Sequence, residues 1–208
     1  MKPDETDNQD LRLRVDNLAS ERGGRPLFEG LRFELGKGDL LRIDGPNGSG
    51  KSTLLRCLCG FFRDWDGRIQ WNLQHPPLYV GHKAGVSADL TVEENVAYLL
   101  SLHGVDPASC IDEILANATL SDQRKRPVRE LSEGQRKRVN LCRLTSTPSE
   151  VWVLDEPFSS LDHASTHWLK DLISNYRRDG GAVIYTSHQM IDLPEQQELL
   201  LSDFALAG

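Results

Sequence analysis

The chain has 208 residues, of which 38% are hydrophobic and 26% charged, with a formal net charge of −7. This length suits one domain, and charges spread evenly over such a composition exclude a disordered chain or an array of independent folds. Apolar stretches such as Val151 to Leu154 and Ala182 to Tyr185 fall far short of the about 20 residues of a membrane-spanning helix, so no bilayer crossing is expected.

Met1-Lys2-Pro3-Asp4-Glu5-Thr6-Asp7 is polar and acidic, unlike a signal peptide with its basic start and apolar segment. The chain is therefore expected to stay in the cytosol, with residues 1–10 as a flexible tail. Alternation in Leu11-Arg12-Leu13-Arg14-Val15 predicts the first strand, and Phe33 with Leu35, then Leu40 to Ile43, predict two more. The last of these runs into a glycine-rich turn followed by a helix over Lys51 to Leu58, which Gly60 stops. Gly67 to Trp71 and Leu78 to Val80 read as short strands. Thr91 and Glu94 form a capping box that opens a helix to about His103, and helical pattern resumes after Pro107 and again from Ser132. This stretch, residues 83–147, reads as an inserted helical lobe. Val151 to Leu154 and Ala182 to Tyr185, separated by a helix over about Asp162 to Arg178, are continuous apolar strands of the kind found in a parallel sheet covered on both faces.

Cys57, Cys59, Cys110 and Cys142 have neither zinc-site spacing nor the density of a disulfide framework, and read as buried free thiols. No run of basic residues is longer than Arg124-Lys125-Arg126 in an acidic chain, which argues against nucleic acid as the partner.

Gly45-Pro46-Asn47-Gly48-Ser49-Gly50-Lys51-Ser52 fits the G-x-x-x-x-G-K-[ST] phosphate-binding loop and sits between a predicted strand and a predicted helix, as that motif requires. Its glycines let backbone N–H groups curl round the phosphates of ATP, and the helix amino terminus adds its positive dipole end. Lys51 neutralises phosphate charge, the Ser52 hydroxyl ligates Mg²⁺, and Thr53 follows on the same first turn. The strand Val151 to Leu154 ends in Asp155-Glu156, about a hundred residues further on. Beside such a loop, Asp155 is expected to hold Mg²⁺ through water and Glu156 to act as general base on the attacking water. Leu131-Ser132-Glu133-Gly134-Gln135 carries a serine N-cap with glutamine three residues on, which opens a helix whose amino terminus can receive a phosphate.

In this order and spacing the set resembles the ABC ATPases, with Leu131 to Gln135 similar to their LSGGQ signature and Glu133 in place of its middle glycine. The resemblance implies an α/β fold, a P-loop NTPase of the ABC ATPase type with a mixed sheet core and an inserted helical lobe, as a single domain over residues 11–208. It implies that Ser160-Leu161-Asp162 is the D-loop and His188 the switch histidine that contacts the γ-phosphate. It further implies a head-to-tail homodimer, because in this family the P-loop of one subunit faces the signature of another across ATP. Two positions depart from the family. Arg22 stands where an aromatic residue usually stacks on adenine, with Phe28 as a substitute or a core residue, and a guanidinium can also stack on a base. His82 stands where the Q-loop glutamine is usual, either as a neutral imidazole orienting water or metal or as a surface residue.

Gly81-His82, Arg22 after Glu21, and Leu154-Asp155-Glu156-Pro157-Phe158 together look like the CcmA family of cytochrome c maturation ATPases. That resemblance implies CcmB-like, CcmC-like and CcmD-like membrane subunits as partners and a peripheral place on the cytoplasmic face of the inner membrane. The work implied is ATP-driven haem export, or release of a haem-loaded chaperone. Another ABC importer or exporter ATPase, or a soluble ABC protein of translation or DNA repair, are the competing readings. No residue that carries the resemblance touches haem.

Overall fold

The computed structural model describes residues 10–83 and 85–205. Of the tail expected over residues 1–10, only Asp10 falls within them. The chain divides into two compact units. One holds the residues up to Tyr79, Ser149–Pro157 and those from Ser174 on, and the other holds Val80–Pro148 and Phe158–Ile173.

In the first unit, β1 (Leu11–Arg22) and β2 (Arg25–Gly36) form an antiparallel hairpin, with β4 (Trp65–Trp71) on the other side of β1. Gly23 and Gly24, at φ 60° and 74°, make the two-residue turn with the backbone handedness that matches strand twist. The first strand runs well past the expected Val15. Its alternation breaks at Asn17, φ 51°, where the register shifts, so the pattern beyond that point is hidden from a period-two reading.

A second sheet has the order β5 (Leu78–Val80), β6 (Val151–Leu154), β7 (Ala182–Thr186), β3 (Leu40–Asp44) and β8 (Gln196–Leu200). The pairs β6–β7, β7–β3 and β3–β8 are parallel, as the continuous apolar runs predict. Leu41, Ile43, Val151, Val153 and Ile184 pack on one face with Leu54, Leu55 and Leu58 of α1 (Lys51–Leu58). Each such side chain contributes about 1.5–3 kcal/mol on burial. On β6, Trp152 stacks on Tyr176 with ring centroids 3.6 Å apart and planes within 4°. β8 was not expected, because Gln196-Gln197-Glu198 is polar, as suits a strand at the sheet edge.

The second unit contains α2 (Val92–Ser101), α3 (Ile111–Asn117), α4 (Glu133–Leu141) and the larger part of α5 (His163–Arg178). Val92, Val96, Leu100, Ile114, Leu115 and Val139 form its core. The capping box of α2 is present, with Glu94 N donating to Thr91 Oγ1 at 3.2 Å and Thr91 N to Glu94 Oε2 at 2.8 Å. Buried Asn95 anchors the preceding loop by donating to the carbonyls of Ser87, Leu90 and Thr91 and accepting from Ser87 N. Arg124 pairs with Glu93 and Asp112, and Lys125 with Glu93, so acidic neighbours neutralise most of the basic run. The expectation of four buried thiols is met by Cys57 and Cys142, while Cys59 and Cys110 are only partly buried, at the edges of the two cores.

Candidate active site

The phosphate-binding loop joins β3 to α1. Gly48 and Gly50, at φ 83° and 102°, occupy backbone that side-chain-bearing residues rarely adopt, and Gly50 is the N-cap of α1. No side chain caps this helix, so its first N–H groups are left to a ligand, as at an anion site. Lys51 is buried and donates through Nζ to the carbonyls of Gly45 at 2.6 Å and Pro46 at 3.1 Å, which holds the ammonium inside the loop. Ser49 Oγ is buried without a hydrogen-bond partner, a hydroxyl left free to bond a ligand. Thr53 is buried on the first turn, while Pro46, Asn47 and Gly48 are exposed.

Asp155 closes β6 with 1% exposure. Its Oδ1 accepts from Ser52 Oγ at 2.9 Å and from Thr186 Oγ1 at 3.1 Å, and its Oδ2 lies 3.5 Å from the Tyr79 hydroxyl. Glu156 follows at φ 54°, an uncommon conformation for a non-glycine residue, held by its N–H donating to Thr186 Oγ1 at 2.9 Å. Its Oε1 lies 3.1 Å from Nε2 of exposed His188. The strand order thus assembles Ser52, Asp155, Glu156 and His188 from three places in the chain. Thr186 and Tyr79 belong to this cluster and escaped the sequence reading. The signal for Thr186 was a threonine closing an apolar strand, two residues before His188.

The remaining candidates fall elsewhere. Arg22 is exposed at the hairpin turn of the first unit, and Leu27 and Phe28 are what approach Gly50. Phe28 is 1% exposed, in the core. In the second unit, Leu131 is buried and Ser132 caps α4, with Gln135 N donating to Ser132 Oγ at 3.2 Å and Ser132 N to Gln135 Oε1 at 3.0 Å. Glu133 Oε1 accepts from Ser160 Oγ at 2.8 Å, and Lys137 Nζ donates to Ser159 Oγ. A Cβ on Gly134 would stand 2.7 Å from Ser160 O, so this glycine is what lets the two segments meet. Asp162 Oδ1 accepts from Ser165 N at 2.7 Å in the first turn of α5, and this bond with the Ser165 hydroxyl holds its carboxyl below the usual range. Leu161 is half-buried beside it. His82 is exposed and lines a groove of about 320 Å³ with Val86, Val128, Glu133 and Lys137.

Residues 28–159, more than half of the chain, match the ABC transporter family model. A curated relative, the cytochrome c biogenesis ATP-binding export protein CcmA of Paramagnetospirillum magneticum, is 40% identical over 213 residues, which cover 95% of this chain and 97% of that protein. The protein of the same description from Rhodospirillum rubrum is 40% identical over 200 residues, covering 91% and 85%. Among solved structures, a putative ABC transporter ATP-binding protein from Pyrococcus furiosus superposes with a TM-score of 0.81 at 25% identity, covering 94% of this chain and all of that one. An inward-facing metal-chelate type ABC transporter, itself described as putative, gives 0.73 at 29% identity, covering 87% and 74%. The chain therefore belongs to the CcmA family of ABC transporter ATP-binding proteins.

Proposed function

We propose that this chain is the ATP-hydrolysing subunit of a membrane complex for cytochrome c maturation, working as a homodimer that couples hydrolysis to haem export or to release of a haem-loaded chaperone. The observation that carries the ATPase reading is the contact of Ser52 Oγ with Asp155 Oδ1 at 2.9 Å, directly before Glu156. A hydroxyl and a carboxylate oxygen meeting at one point suit Mg²⁺, which takes hard oxygen donors and keeps several waters. Once bound, the ion would neutralise charge on the β- and γ-phosphates.

The chain's own residues would do the rest. The N–H groups of Gly48 to Ser52 and the hydroxyls of Ser49 and Thr53 would hold phosphate oxygens, with Lys51 leaving the Gly45 carbonyl for them. Glu156 would accept a proton from water as the water oxygen bonds to the γ-phosphorus and ADP leaves, and His188 would orient that water. Ser132 to Gln135, led by Leu131, would meet the ATP of a second copy, and Ser160, Leu161 and Asp162 would relay the state of that copy. Arg22 would stack on adenine, and His82 would take the Q-loop position.

Among the described residues no helix is long and apolar enough to cross a membrane. The partners proposed are CcmB-like, CcmC-like and CcmD-like membrane subunits, with the chain peripheral on the cytoplasmic face of the inner membrane. The apolar and charged groove beside His82 supports docking of such a subunit.

The test is an affinity pull-down of tagged wild type and Glu156→Gln from detergent-solubilised membranes, with mass spectrometry and a haem absorbance scan. Small polytopic membrane proteins and a haem-bearing chaperone released by Mg-ATP from the wild type, and retained by a Glu156→Gln dimer slowed by about 10²–10⁴-fold, are expected. A different permease without haem would reject the cytochrome reading and leave the ATPase, and wild-type turnover in Glu156→Gln would remove Glu156 from the base role.

A further inference from the structure

Arg42 sits in the middle of β3, among Leu40, Leu41 and Ile43, with its side chain only 7% exposed. Burying a guanidinium is costly unless partners offset it, and here they meet its two Nη atoms while Nε has no hydrogen-bond partner. Arg42 is aligned with Tyr185 on β7 and with Glu198 on β8. It forms an ion pair with Glu198, donates through Nη2 to Asp44 Oδ2 at 2.9 Å, and places Nη1 3.6 Å from Met190 Sδ. The Glu198 bond, opposed by desolvation, raises its pKa above the usual guanidinium value, so the group stays charged.

Stabilising the edge strand would need only Glu198. The other two contacts reach the nucleotide site. Asp44, two residues along the same face of β3, accepts through its second oxygen from Gly45 N at 2.6 Å, and Gly45 O in turn accepts from Lys51 Nζ at 2.6 Å. A continuous chain of hydrogen bonds thus runs from the buried guanidinium to the phosphate-binding lysine. The second arm ends on Met190, two residues past His188, in a segment whose Ser187 hydroxyl already bonds Gln189 at both N and O.

We propose that Arg42 is a positioning residue of the nucleotide site, a buried cation that sets the first residue of the phosphate loop through Asp44 and the His188 segment through Met190. It never touches ATP. Removing it frees the Asp44 carboxylate to turn away from Gly45 N and loosens both sides of the site together, so binding and turnover should both fall. The inference rests on the ATP-site reading of residues 45–52 and His188.

The test uses the purified full chain, with binding of a fluorescent ATP analogue, steady-state KM and kcat, and thermal unfolding. Arg42→Gln should raise KM for ATP about tenfold and lower kcat at temperatures well below its Tm, a size typical of sub-ångström misplacement. Arg42→Lys, which keeps charge without the fork, should recover part of both. Asp44→Asn keeps an oxygen for Gly45 N but loses the ion pair, and should shift KM in the same direction even if Arg42→Gln fails to fold. Wild-type KM and kcat in Asp44→Asn and in whichever Arg42 variants fold, with only Tm lowered, would make Arg42 a structural residue and overturn the proposal. Lys51→Ala is the separate control: if it binds the analogue as tightly as wild type, the ATP-site reading itself falls.

Discussion

Replacing Gly134 by alanine sets two effects of opposite sign against each other. Gly134 lies in the first turn of α4, where exchanging glycine for alanine in an unobstructed helix gains about 1 kcal/mol. The new Cβ, however, would stand 2.7 Å from the backbone oxygen of Ser160, closer than the 3.0 Å that such atoms essentially never breach. Ser160 cannot simply yield, because its φ of 61° is already strained, its hydroxyl is bonded to Glu133, and Ser159 beside it is bonded to Lys137. Overpacking of this kind costs about 1–3 kcal/mol, so the balance is a loss of about 0–2 kcal/mol. A chain of this size should then unfold about 2–4 °C lower for each kcal/mol lost. The shift of a few tenths of an ångström between Gly134 and Ser160 should also cut turnover at saturating ATP by about tenfold if these segments act on nucleotide as proposed. Circular dichroism melts and phosphate release on wild type and Gly134→Ala measure both. A Tm raised by 2 °C or more, with unchanged turnover, would show that helix propensity acts alone and that the close approach to Ser160 has no consequence.

Thr186→Val keeps the shape of the strand end but leaves Asp155 Oδ1 without one donor and Glu156 N without its acceptor, at a cost of about 1–3 kcal/mol and at least tenfold in kcat. Thr186→Ser should restore both, and a valine variant with wild-type Tm and kcat would refute the bridge. His82→Gln should leave stability within about 0.5 kcal/mol because the side chain is exposed, and should retain ATPase activity. A dead variant would assign the imidazole a specific task. Burial pushes the thiol of Cys142 up to about 12 and that of Cys57 to about 11. Since these are raised values, the protonated thiols stabilise the folded state fully below the ordinary thiol pKa of about 8.5, and that contribution is lost as pH climbs towards the folded values. The urea midpoint should therefore drop between pH 8.5 and 11, by up to about 1.4 kcal/mol per pH unit for each thiol in free-energy terms. A flat midpoint over that range would contradict it.

What could be read from residue order alone was whatever depends on neighbours a few positions apart. The helix Lys51–Leu58 coincides with its expectation because the glycines that bend the loop and the residues that start the helix are contiguous. Both capping boxes, at Thr91 and Ser132, are present because a cap is satisfied within four residues. The strands Val151–Leu154 and Ala182–Thr186 were legible because strands covered on both faces are apolar throughout. Tertiary structure decided everything that depends on strand order. The edge strand Gln196–Leu200 has no apolar pattern to announce it and exists because β3 offers it a ladder of hydrogen bonds. Thr186 became a bridge between Asp155 and Glu156 only because β7 lies beside β6. Arg42 reads in sequence as an ill-placed charge, and only the register of β3 with β7 and β8, and the return of the chain through Met190, make its burial tolerable. The contact of Glu133 with Ser160 likewise joins residues far apart in sequence. Local chemistry identifies the groups that can act on a phosphate, but their mutual orientation is a property of non-local pairing, which residue types do not encode one at a time.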